Sequence, residues 1–251
     1  MHDEFLRRIS DFKTLQNSGK GGISDMLKLD NVCYKYKNAS HNVLKNINCE
    51  FKSGTLYSVV GPSGSGKTTL LSIMAGLDKP SEGSLFFDGK NLSNLDLNKY
   101  RRENISMIFQ AFHLFPLLSA VENVCQPMEI NGVKRQEAVK IAKVLLESVG
   151  IDEAKHKRYP SNLSGGEQQR VAIARALSSG ARVIMADEPT GNLDKENGKA
   201  VMSILTRLAK IDNYCVIVVT HNMQIAEASD VVYKMDHGEL RLSNHSYEMG
   251  F

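Results

Sequence analysis

The segment Gly61-Pro62-Ser63-Gly64-Ser65-Gly66-Lys67-Thr68 fits the pattern GxxxxGK[ST]. Glycines at 61, 64 and 66 let successive backbone N–H groups turn toward an anion. A helix opening at Lys67 would add its positive end. In that arrangement Lys67 reaches the β- and γ-phosphates of a nucleotide, Thr68 sets its hydroxyl on magnesium, and Thr69 continues the site. A second stretch, Val183-Ile184-Met185-Ala186-Asp187-Glu188, is an apolar run ending in two carboxylates. Standing alone it reads as a strand end with two solvated acids. Downstream of a phosphate loop, Asp187 can hold magnesium through water, and Glu188 is placed to polarise an attacking water. Ser164, Gly165 and Gly166 repeat the phosphate-loop physics elsewhere: small residues at a helix start, exposing N–H groups and a hydroxyl to an anion. The same residues read equally as an N-capped helix, with Ser164 and Glu167 as a capping box. One geometry serves both.

The elements that must position these groups follow from the hydrophobic pattern. Residues 27–34, 44–51 and 56–60 read as strands separated by polar turns, the third running into the glycine-rich loop and then a helix from Lys67. Residues 84–87 form another short strand before the turn Asp88-Gly89, and 105–109 a further strand. Ala138, Ile141, Ala142, Leu145 and Val149 give helical spacing within a largely helical stretch from 119 to 149. A helix follows Ser164 and runs without a breaker to Gly180. After it come a strand at 182–187, a helix at 195–210, a strand at 214–219, a short helix, and a hairpin around Asp236-His237-Gly238. Strands alternating with helices imply a mainly parallel sheet.

The bulk properties narrow the function classes. A chain of 251 residues with 42% hydrophobic and 24% charged residues forms an ordinary globular core as one large domain or two modest lobes. The net charge of +3 does not indicate a large nucleic-acid-binding surface. No apolar run approaches the ~20 residues that span a bilayer, and Met1-His2-Asp3-Glu4 lacks the pattern of a signal peptide. Any membrane role therefore comes through a partner. Cys33, Cys49, Cys125 and Cys215 form no CxxC pair, which fits buried thiols in a reducing compartment better than a metal site or a disulfide framework. Residues 1–25 read differently from the rest: Phe5, Ile9 and Phe12 permit a short amphipathic helix, and Ser18-Gly19-Lys20-Gly21-Gly22 reads as a flexible linker.

In combination, these motifs resemble the ATP-binding subunit of ABC transporters, over nearly everything from Met26 to about Arg241. Leu163 to Arg170 match that family's signature segment, and Gly191-Asn192-Leu193-Asp194 match a loop that crosses its dimer interface. The resemblance implies an α/β fold: a RecA-like P-loop NTPase core, an N-terminal antiparallel β subdomain, and an inserted α-helical subdomain at about 111–178. It implies that Tyr36 stacks on adenine, that Gln110 touches Mg2+ and the nucleophilic water and senses the permease, that Asp194 is the acid of the interface loop, and that His221 contacts the γ-phosphate. It also implies two copies packed head to tail, each ATP held between Gly61–Thr68 of one chain and Ser164–Gly166 of the other.

The further expectations are ATP and Mg2+ as ligands, an integral-membrane permease as partner, no nucleic acid, and a place at the cytoplasmic face of the cell membrane. The segment 112–118 (Phe112 to Leu118) either receives a coupling helix from the permease or is core of the helical lobe. The wording Ala186 to Asp194, with Gly76-Leu77-Asp78 and Glu122-Asn123-Val124, resembles the MacB/LolD/FtsE branch. That branch implies export or extraction of a peptide, a lipid or lipoprotein, or a drug. An FtsE-like transmitter of signals to cell-wall hydrolases is the alternative. A soluble ABC ATPase of DNA repair or translation is disfavoured, because a long coiled-coil insertion or a second cassette does not fit the length. Met26 resembles the usual start of the family, and Lys20-Gly21-Gly22 can be encoded by a purine-rich stretch like a ribosome-binding site. These imply a natural product beginning at Met26, a reading that intact mass of the endogenous protein tests.

Overall fold

A computed structural model describes residues 25–37 and 39–243. The expected helix around Phe5–Phe12 and the linker at 18–22 lie outside the described residues.

Two sheets carry the fold. β1 (Asp25–Tyr34), β2 (Leu44–Lys52), β4 (Glu82–Phe87) and β5 (Lys90–Asn91) form an antiparallel sheet in the order β2-β1-β4-β5. The second sheet holds β3 (Thr55–Val60), β6 (Ile105–Phe109), β7 (Val183–Asp187), β8 (Cys215–Thr220), β9 (Val231–Asp236) and β10 (Glu239–Ser243). Its order is β10-β9-β3-β8-β7-β6, and all pairs are parallel except the terminal hairpin β9–β10. The α/β class with a mainly parallel sheet and an antiparallel β portion is thus observed.

The period of two along each central strand divides the molecule. On β7, Val183 and Met185 face one core while Ile184 and Ala186 face another; on β8, Cys215, Ile217 and Val219 alternate with Val216 and Val218. The first core joins the parallel sheet to the antiparallel sheet and to α1 (Lys67–Met74). The second joins it to α3 (Ala120–Ile130), α4 (Arg135–Ser148), α5 (Gly165–Ser178) and α6 (Lys195–Lys210). Strands buried on both faces read as unbroken apolar runs, which is why Val216-Ile217-Val218-Val219 is so uniform.

The helices depart from the expected pattern in places. The helical stretch 119–149 is two helices, because Gly132 takes φ +85° between α3 and α4. Residues 111–119 carry no helix: Phe112 and His113 sit in the left-handed region at φ 59° and 50°. A one-turn 3-10 helix at Leu92–Asn94 and helix α2 (Leu97–Asn104) were not expected. α2 is anchored by a single buried residue, Tyr100, whose hydroxyl donates to Met74 O at 2.7 Å, so it lacks an apolar stripe. The four cysteines are free and buried. No helix among the described residues is long and apolar enough to cross a membrane.

Candidate active site

The loop 61–66 leaves the end of β3 and enters α1, with Gly64 at φ +76° and Gly66 at φ +109°. Gly61 is held for another reason: a Cβ there would lie 2.1 Å from Met235 O, on β9. The turn after β9 clamps the loop a second time, Gly238 N donating to Ser65 O at 3.1 Å. Lys67 is buried, and its ammonium donates to Gly61 O and Pro62 O, each at 2.8 Å. Ser65 Oγ is buried without a hydrogen-bond partner, and a buried orphan hydroxyl is costly unless something meets it. The loop thus holds an ammonium on its own carbonyls and a buried hydroxyl with no partner.

β7 delivers the two acids, and the end of β8 delivers the groups that meet Glu188. Thr68 Oγ1 donates to Asp187 Oδ2 at 3.3 Å. Burial pushes the Asp187 carboxyl up from its ordinary value, and the neighbouring Glu188 charge adds to this; the Thr68 hydrogen bond and the Lys67 charge oppose it. Glu188 takes φ 47°, an uncommon conformation for a residue other than glycine. There its carboxylate accepts from Thr220 Oγ1 at 2.9 Å, from His221 N at 3.0 Å, and contacts His221 Nδ1 at 2.6 Å. The His221 ring itself is 72% exposed. Thr220, at the end of β8, was not singled out from the sequence.

The remaining expected residues fall around this centre. Tyr36 is half exposed, with its hydroxyl 3.1 Å from Thr69 Oγ1 and its ring packed edge-on against Tyr34 at 4.9 Å between centroids. Gln110 follows β6 directly; Gln110 Nε2 donates to Asn192 Oδ1 at 3.0 Å and Asn192 Nδ2 to Gln110 O at 3.1 Å. Ser164 caps α5 reciprocally, accepting from Glu167 N at 3.3 Å and donating its own N–H to Glu167 Oε2 at 2.8 Å, as the capping-box reading expects. Lys155 holds Glu167 Oε1 at 2.8 Å and is the main reason its carboxyl lies below the usual range. Asp194 caps α6, accepting from Asn197 N at 2.9 Å. Among the described residues no hydrogen bond joins Ser164–Gly166 to Gly61–Thr68.

In the segment after Gln110, Leu114 packs on the helical core while Phe115 and Leu117 are exposed, Leu117 by 86%. Arg175, on α5, pins its backbone by donating to His113 O at 2.6 Å and Phe112 O at 3.1 Å. A cavity of about 200 Å³ lies elsewhere, beyond α1, beside Asp78, Pro80, Leu92 and Leu97.

A phosphate-cradling turn between a central parallel strand and a helix, with a strand-end Asp hydrogen-bonded to the loop's Thr, defines a P-loop nucleoside triphosphatase. A family profile described as ABC transporter matches residues 44–191. The chain is 41% identical to an uncharacterised ABC transporter ATP-binding protein of Bacillus subtilis, YclH, over 88% of this chain and 97% of that one. It is 40% identical to the lipoprotein-releasing system ATP-binding protein LolD of Rickettsia bellii, over 87% and 98%. A dimeric structure of the ATP-binding cassette MJ0796, from Methanocaldococcus jannaschii and bound to ADP and Pi, superposes with a TM-score of 0.79 at 40% identity, covering 90% of this chain and all of that one. The chain belongs to the ABC-transporter family of ATP-binding, ATP-hydrolysing subunits.

Proposed function

We propose that two copies of the chain close on two ATP molecules, and that closure is coupled to a permease at the cytoplasmic face of the membrane. The reading is carried by the cluster Thr68–Asp187–Glu188–His221, which gathers at the ends of β7 and β8 beside the phosphate cradle. Lys67, with the N–H groups of residues 63–66, binds the phosphates. Tyr36 offers its half-exposed ring to the base once the contact to Thr69 yields. Thr68 and Asp187 are hard oxygen donors close enough to share one ion, which suits magnesium, an ion that keeps few protein ligands and leans on phosphates. Magnesium, when bound there, neutralises phosphate charge; Gln110 stands as its further contact and as the link toward the permease.

Glu188 holds the attacking water as general base. Thr220 Oγ1 and His221 N donate to the carboxylate and His221 Nδ1 contacts it, which fixes its place, and the other ring nitrogen of His221, Nε2, is left to meet the γ-phosphate. Ser164, Gly165 and Gly166 serve the partner's nucleotide, because their helix start presents donors to no loop of their own chain. Asp194 faces the same interface. Work passes to the membrane only because ATP favours the closed pair over the open one. Likeness to the ATP-binding protein of a lipoprotein-releasing system supports export or extraction of a lipoprotein, among the expected cargoes, as the task.

Glu188→Gln tests the reading. Hydrolysis should fall at least about a hundredfold, as loss of a general base commonly gives, while ATP still binds and dimers accumulate in size-exclusion with light scattering. Hydrolysis at the wild-type rate, or a protein that stays monomeric with ATP, refutes it.

A further inference from the structure

Asn197 lies on the first turn of α6 and touches both surfaces that the proposed dimer needs. Its Nδ2 donates to Asp194 Oδ2 at 2.7 Å, and its backbone N–H donates to Asp194 Oδ1 at 2.9 Å. Its Oδ1 accepts from Arg170 Nη1, on α5, at 3.2 Å, 27 residues away in sequence. The same carboxamide lies on the α-carbon of Gly166: a Cβ there would meet Asn197 Oδ1 at 2.0 Å and Cγ at 2.3 Å. Nearby, Gln169 Nε2 donates to the buried Pro189 O at 2.8 Å.

We propose that Asn197 is a positioning residue that locks the interface loop 191–194 to the Ser164–Gly166 turn of the same chain, so that the two move as one block. The inference rests on the composite-site reading above. A carboxamide suits the post for a chemical reason. Arg170 can only donate and the Asp194 carboxylate can only accept, so the bridge needs one acceptor and one donor on one rigid plane. Asn197's backbone and side-chain hydrogen bonds hold the Asp194 carboxyl below its usual range. Gly166 is then constrained twice, by access to phosphate and by the amide seated against it.

The test uses Asn197→Ala and Asn197→Asp in the Glu188→Gln protein, reading ATP-driven dimerisation, ATP affinity of the monomer, and melting temperature. Loss of both side-chain hydrogen bonds loosens the turn against the loop before pairing and weakens the dimer about tenfold in Asn197→Ala. Asn197→Asp weakens it further, because a second carboxylate then faces Asp194. Monomer affinity for ATP stays within about twofold, as expected for sites that share no partner. A dimer constant equal to the parent's overturns the proposal, and so does monomer affinity that falls in step with melting temperature.

A second measurement needs no dimer. Gly166→Ala should lower the melting temperature of the wild-type chain and do so much less in Asn197→Ala, where the clashing amide is gone. An equal loss in both backgrounds overturns the contact itself. If the Glu188→Gln parent does not dimerise with ATP, the composite site fails, whatever the Gly166 pair shows.

Discussion

Gly61→Ala isolates the clamp that the terminal hairpin puts on the phosphate loop. Gly61 does not need a left-handed backbone, so alanine brings only its methyl group. That methyl would stand 2.1 Å from Met235 O, where real contacts do not come under 3.0 Å. The atom it meets is backbone of β9, which is paired to β3 from Tyr57 to Val60 and cannot rotate away. The loop must therefore move by about 0.9 Å or the β3–β9 pairing must open. Forced overpacking of this kind costs about 1–3 kcal/mol, which in a chain of this size lowers the melting temperature by about 5 °C. A phosphate cradle displaced by about 1 Å should lose roughly a hundredfold in turnover. Circular-dichroism melting and steady-state ATPase assays read both quantities. Gly64→Ala is the contrast: its φ of +76° makes alanine strained, yet nothing lies within 4 Å. It should cost about 1–2 kcal/mol of backbone strain without moving the loop against β9, and lose less turnover. Wild-type melting and turnover in Gly61→Ala would refute the clamp.

Arg175→Ala should free the carbonyls of Phe112 and His113 at a cost of about 2 kcal/mol. Hydrogen exchange across 112–118 should rise while ATP affinity of the isolated chain holds; unchanged exchange sinks the assignment. Glu122 should contribute to acid stability. Hydrogen bonds from the Ser119 hydroxyl and N–H hold its carboxyl below its ordinary value of 4.5, with Arg135 assisting. A lowered folded value means that its stabilisation is complete above the unfolded value and drains as pH falls through the folded one. Glu122→Gln should accordingly flatten the acid limb of a pH–melting curve below about pH 4.5, and an unaltered limb contradicts this.

The legible parts of the molecule were those with a local signal. Val183–Asp187 and Cys215–Thr220 are buried on both faces, so their apolar runs announced strands. Ser164 and Glu167 stand three apart, and the capping box they form is local too. α2 was silent because Tyr100 alone is buried in it, although Asp96 is its N-cap and could have marked its start. The site's supports were illegible for a different reason. Thr220 meets Glu188 across 32 residues, Arg175 meets His113 across 62, and Asn192 meets Gln110 across 82. A single polar residue carries no periodicity, so only the folded chain reveals its partner.

The buried thiols have a practical use. Burial pushes Cys49 up to about 12 and Cys125 up to about 11, and raises Cys215 as well, while the Cys33 thiol is spent on Asn46 Oδ1 at 3.2 Å. All four thiols are buried, which keeps reagents from them. The unaltered chain is thus a quiet background for maleimide chemistry. A lone cysteine introduced at exposed Lys195 or Ser161 would carry a dye or spin label without prior removal of native sulfur, so the opening and closing of a pair could be followed as a distance in real time.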